Sequence, residues 1–144
     1  MSGHIYTVEF RIYSKMLDPI AISRELGLEP SQIAIKGEPA PGGREWRSSM
    51  WAYDGGEKRS EWNSLEDGIN YLLEKLSPRR TAIARYESIA ELVWWCGHFQ
   101  SSLDGGPMLS PELLKRLGDF GASLYIDNYF SSPEDATVDV ICPA

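Results

Sequence analysis

The stretch ELVWWCGHFQ, Glu91 to Gln100, sets two tryptophans side by side. Read as a β-strand, it sends Trp94 and Trp95 to opposite faces of a sheet. One face belongs to the core, yet the other is aromatic as well. The rest of the chain has to supply a sheet for this strand and something to shelter both of its faces.

Working outward, His4 to Tyr13 alternates clearly. His4, Tyr6, Val8, Phe10 and Ile12 share one parity and are expected to face the core; Thr7, Glu9 and Arg11 share the other. REWRSSMWAYD (Arg44 to Asp54) reads as a second main strand and ASLYIDNYF (Ala122 to Phe130) as a fourth. QIAIKG and TVDVICP are shorter strand candidates. Three helices punctuate them. Asp18 caps one, with Pro19 at its first position, Ile22 and Leu26 inward and Gly27 at its end. Ser64 opens SLEDGINYLLEKLSP, whose Leu65, Ile69, Leu72, Leu73 and Leu76 form an apolar stripe. Ser110 and Pro111 open SPELLKRLGDFG, with Leu113, Leu114 and Leu117 expected inward. PRRTAIARYES adds a short helix.

DPIAISRELGL and SPELLKRLGDFG echo one another: each follows a strand, begins with a cap and proline, and reaches Leu-Gly before another strand. The order is therefore strand–helix–strand, an inserted helix, then strand–helix–strand. This predicts a single α+β domain over residues 1–144. The expected arrangement is a ferredoxin-like two-layer sandwich with an antiparallel sheet and helices on one face. The same elements in another order, as an open α+β sheet, are the alternative.

DPIAISRELGLEPSQIAIKGE, EWRSSMW, SLEDGINYLLEKLSP and LSPELLKRLGDFGASLYIDNY together resemble the bacterial family known as domain of unknown function 4279. The resemblance runs from about Val8 to Tyr129. It implies a small bacterial α/β domain and supplies no activity and no catalytic residues.

With helices on one face, the other face is open unless a loop, the tail or a partner covers it. The parity of each strand predicts what lies there: Glu9 and Arg11 from the first, Arg47, Trp51 and Tyr53 from the second, and Tyr125, Asp127 and Tyr129 from the fourth; the third adds either Trp94 and His98 or Trp95 and Phe99, and the second pair is favoured because Leu92, Trp94 and Cys96 then pack inside. Exposing large rings to water costs about 1.5–3 kcal/mol each. Such a surface is covered by the inserted segment or tail, buried in a homodimer, or used to bind a ligand or protein partner.

The chain has 144 residues and a net charge of −7. Residues 81–144 hold 3 Lys/Arg against 9 Asp/Glu, a balance of −6, whereas residues 1–80 are nearly neutral. That second half repels a phosphate backbone and attracts a basic protein, so nucleic acid is not an expected partner. No apolar run reaches the ~20 residues of a membrane helix. The first residues lack a basic segment followed by an apolar one, so a cytoplasmic location is expected and membrane association is not. Cys96 and Cys142 are expected to be reduced thiols.

Chemistry is sparse. His4 and His98 are the only histidines and lack metal-ligand spacing. Cys96 and His98 share a strand face but show no third orienting group. The expectation is no catalytic residue, no metal and no cofactor. The function expected first is a small cytoplasmic binding protein of immunity type, neutralising a basic toxin. A small-molecule binder or enzyme using the aromatic cleft, and a structural homodimer, are the alternatives.

Overall fold

The computed structural model describes residues 3–56 and 61–133. Strand β1 (His4–Ser14) leads into α1 (Pro19–Leu26). The Asp18 carboxylate accepts the Ile20 N–H at 3.0 Å, and Gly27 ends the helix at φ 66°, a left-handed turn suited to glycine. The chain then forms β2 (Gln32–Ala34), the two-residue strands β3 (Pro39–Ala40) and β4 (Arg44–Glu45), and β5 (Ser49–Tyr53). Helix α2 (Leu65–Leu76), capped by Ser64, and the short α3 (Arg80–Ala84) come next. Strand β6 (Glu91–Gln100), helix α4 (Pro111–Phe120) and β7 (Ser123–Tyr129) complete the described elements.

The main sheet has the order β2-β5-β1-β6-β7. Strand β1 lies antiparallel between β5 and β6, while β6 and β7 run parallel. The protein is thus α+β, but its sheet is mixed where a wholly antiparallel one was expected. In chain order the two strand–helix–strand units and the inserted helices are present. In space each unit keeps its two main strands adjacent, β1 with β5 and β6 with β7. A ferredoxin-like sheet interleaves them, so that arrangement does not follow from this pairing. The parallel pair has a local cause: α4 carries the chain back along the sheet, so β7 starts again at the β6 end where β6 itself began.

The four described α-helices pack on one face. Tyr6, Val8, Phe10 and Ile12 of β1 meet Ile22, Leu26, Leu65, Ile69, Leu72, Leu73, Leu76, Ile83, Leu113, Leu117 and Phe120 there. Trp94 is fully buried in this layer, with its ring centroid 5.0 Å from Phe10 and 5.2 Å from Phe120. Gly68 lets α2 approach β1; a Cβ at that position would lie 2.8 Å from a Val8 methyl. Leu114, expected inward, is 53% exposed. The buried stripe of α4 is Leu113, Leu117 and Phe120, spaced i, i+4, i+7, and Leu114 falls off it.

The second main strand is divided. Gly42 and Gly43, both with positive φ, turn the chain so that Arg44–Glu45 pair with Pro39–Ala40 and only Ser49–Tyr53 join the main sheet. The parity of β5 is also opposite to expectation. Trp51 and Tyr53 face the helices, with Trp51 Nε1 donating to Ser23 Oγ on α1 at 2.8 Å. Met50 and Ala52 face away, in a second cluster with Tyr13, Ala34 and Val93, against which Trp46 and Tyr125 pack. The reason is pairing: Ile12 stands opposite Trp51, and directly opposed residues share a face. The TVDVICP strand candidate and Cys142 lie outside the described residues.

Candidate functional site

The face away from the helices is not an open aromatic surface. Trp95 and Phe99 project there, but each is only 3% exposed, and Arg11 is 1% exposed. Glu9, Arg11, Tyr13 and Trp95 form a connected group. Arg11 Nε donates to Glu9 Oε1 at 2.7 Å, and Arg11 Nη1 donates to the Tyr13 hydroxyl at 2.9 Å. The guanidinium carbon lies 4.2 Å from the centre of the Trp95 ring, close enough for a cation–π contact. Glu9 also accepts from Ser31 Oγ at 2.8 Å and Gln32 Nε2 at 3.2 Å, which ties β2 and the residue before it to β1. This buried charge is paired and hydrogen-bonded, as an interior ion must be.

Towards the other end of that face, Phe99 stacks on Tyr129 with centroids 4.8 Å apart, and the Tyr129 hydroxyl donates to Asp127 at 2.6 Å. Burial, and then the neighbouring Asp127 carboxylate, push the Tyr129 phenol up from its ordinary value. Gly97 makes room for this stack; a Cβ there would meet the Phe99 ring at 2.8 Å.

The residues expected to form one surface are therefore distributed. Glu9, Arg11, Trp95, Phe99, Tyr125, Asp127 and Tyr129 share a face. Trp51 and Tyr53 lie on the opposite face, stacked on one another at 5.9 Å. Arg47 is exposed, between β4 and β5. A cleft built from Trp51, Tyr53, Tyr125 and Arg11 together is not formed. Both adjacent tryptophans leave the indole Nε1–H buried without an acceptor.

Residues that the sequence did not bring together form a chain at the opposite end of the helix-side layer. His98 Nε2 lies 2.8 Å from His4 Nδ1, and His98 Nδ1 lies 2.8 Å from Asn128 Oδ1. His4 Nε2 lies 2.6 Å from the Asp104 carbonyl oxygen. The Tyr6 ring stacks on His98 at 4.7 Å. Antiparallel pairing sets Tyr6 opposite His98, so His4 is its diagonal neighbour, and parallel pairing sets Asn128 beside His98. The inward parity of His4 was readable, whereas that of His98 was open between two alternatives; the pairing of β1 with β6 was the missing step.

With both ring nitrogens engaged, His98 does not serve Cys96 as a base. Cys96 is fully buried, and burial pushes its thiol up, away from the thiolate that nucleophilic chemistry needs. Among the described residues, no group of three or more His, Cys, Asp or Glu side chains is placed to hold a metal ion. A groove of about 350 Å³ runs along the C-terminal end of α1, lined by Ile20, Ser23, Arg24, Gly27, Leu28 and Glu29. None of the expected site residues lines it. No described helix is long and apolar enough to cross a membrane.

On its outer side β7 has no strand partner among the described residues. Leu124 is 36% exposed and Phe130, just beyond the strand, is 69% exposed. Two carboxylates lie on or near this strand. Asp127 is on the strand itself, and Glu87 reaches the turn at Gly121, where a Cβ would lie 2.7 Å from its Oε1.

Comparison with protein families matches residues 4–131 to the model of the family described as a domain of unknown function, DUF4279. Neither curated proteins nor solved structures give a match. The family match spans most of the chain, and the chain belongs to that family.

Proposed function

We propose that this DUF4279 chain is a small bacterial cytoplasmic binding protein of immunity type, which neutralises a basic protein by taking one of its extended segments onto the outer edge of β7. The observation that carries this reading is the edge itself. A seven-residue strand whose outer side has backbone donors and acceptors with no strand partner among the described residues, apolar side chains at Leu124 and Phe130, and a single charged residue is a template for strand addition. Natural edges are normally blunted with lysine, proline or a bulge, and β7 contains no lysine or proline.

Charge selects the partner. Asp127 lies on the strand and Glu87 at the Gly121 turn before it, and residues 81–144 carry a balance of −6, so a basic segment is attracted in approach. The small-molecule reading has less support, because the rings that would form its cleft are divided between the two faces of the sheet.

The test first reads the genes on either side of this one for a basic protein, and titrates such a protein calorimetrically into the wild-type chain, Ile126→Pro and Asp127→Lys. Proline removes a backbone donor from the edge, and lysine reverses the charge. Binding to wild type that each variant weakens at least tenfold supports the reading. Equal binding by all three overturns it, as does a neighbouring metabolic operon that encodes no basic protein. A wild-type mass of two chains that Ile126→Pro returns to one assigns the edge to self-association instead.

A further inference from the structure

We propose that the His4–His98–Asn128 chain takes up one proton without losing a hydrogen bond, by turning the Asn128 side-chain amide over. The inference follows from counting hydrogens along the chain. The Asp104 carbonyl can only accept, so His4 Nε2 carries a hydrogen in every state. One hydrogen must also lie between His4 Nδ1 and His98 Nε2. With the Asn128 oxygen facing His98 Nδ1, that nitrogen must donate as well. Three hydrogens on two imidazole rings make a pair with charge +1. With the amide turned, Asn128 Nδ2 donates to a bare His98 Nδ1, His98 Nε2–H donates to His4 Nδ1, and two hydrogens suffice. The pair is then neutral.

The two states differ by one proton on His98 Nδ1 and a half-turn of an amide whose two ends are nearly equal in size. All three bonds persist in both. The ionisable groups against the pair, among the described residues, are the Tyr6 phenol on β1, Cys96 on β6 and Asp104 in the 101–110 loop. Asp127 on β7 is turned to the other face and held by Tyr129. His98 is only 4% exposed, so water cannot readily replace a lost partner, and amide rotation is the route that keeps His98 Nδ1 satisfied.

The rotation also changes the atom that Asn128, exposed on β7, turns outward: the oxygen when the pair is neutral, the NH₂ when it is charged. On the reading of β7 as a docking edge, acid thus replaces an acceptor by a donor there. The proton step itself does not depend on any partner.

The test is long-range 1H–15N correlation of the imidazole rings in the uniformly labelled full chain, titrated from pH 9 to pH 5. The expected result is a bare His98 Nδ1 at high pH and one proton added there on acidification, with the Asn128 amide signals shifting at the same midpoint. In Asn128→Asp the midpoint moves up, because a carboxylate can only accept; in Asn128→Leu it moves down. Either variant suffices if the other fails to fold. His98 Nδ1–H at every pH, or a midpoint that neither variant moves, overturns the proposal. Both outcomes are read without a binding partner, so they are separate from any failure of the docking assay.

Discussion

Removing one member of the Glu9–Arg11 pair is expected to cost more than removing both. Arg11 is 1% exposed, and the Glu9 side chain is 14% exposed. Breaking a buried pair from one side costs ~3–5 kcal/mol, because the remaining charge loses its partner. In Arg11→Met the orphan is Glu9, which keeps Ser31 and Gln32 and some contact with water, so the cost falls near the lower limit, about 3 kcal/mol. In Glu9→Met the orphan is the deeper Arg11, left with the Tyr13 hydroxyl and the Trp95 ring, so the cost approaches the upper limit, about 5 kcal/mol. The double variant replaces both ions with apolar chains and returns to within about 2 kcal/mol of wild type, since such swaps are often neutral. Urea unfolding reads this directly. With a slope of roughly 2 kcal/mol per molar, Arg11→Met shifts the midpoint by about 1.5 M. Single variants that each cost under about 1 kcal/mol, or a double variant that costs their sum, would refute the reasoning.

Three further outcomes follow from the packing. Trp51→Phe loses the hydrogen bond to Ser23, worth about 1 kcal/mol net, whereas Trp94→Phe sheds a buried N–H with no acceptor; in the same urea assay Trp51→Phe is the more destabilised of the two. Gly68→Ala gains about 1 kcal/mol of helix propensity but drives a Cβ to 2.8 Å from Val8 and 2.9 Å from Trp62, so overpacking of about 1–3 kcal/mol prevails and thermal unfolding moves down. The phenols of Tyr6, Tyr86 and Tyr129 are all pushed up, first by burial; Tyr86 is raised further by its bond to Glu25, and Tyr129 by its bond to Asp127. The folded state thus favours the neutral phenol. Stability from this source is full below the unfolded value of about 10 and is lost as pH rises above it. Unfolding midpoints measured from pH 9 to 11.5 should fall, and less steeply in Tyr86→Phe.

Much of the fold was legible where one periodicity dominates. The α2 stripe from Leu65 to Leu76, the caps at Asp18, Ser64 and Ser110, and the inward parity of Tyr6 to Ile12 needed no partner to be read. The strand from Glu91 to Gln100 carries bulky rings on both parities, so its sequence left open whether Trp94 and His98 or Trp95 and Phe99 face away from the helices. What failed depended on pairing. Met50-Trp51-Ala52-Tyr53 is apolar on both parities, so only its register against β1 decides which set meets the helices. The burial of Arg11 was equally hidden, because an alternating strand marks a charged residue as solvent-facing and cannot show that Trp95 and Tyr13 enclose it. The His4–His98–Asn128 chain joins residues far apart in sequence, and no local pattern announces it.

The central claim is that both faces of the sheet are already sheltered and that the outer side of β7 is free, which is what the proposed docking requires. Backbone amide hydrogen exchange of the chain alone tests this most directly. Slow exchange throughout β1 and β6, with alternate amides of residues 123–129 exchanging fast and slow, is the predicted result. Uniformly slow exchange along β7 would mean that its outer side is already bonded, and would contradict the account.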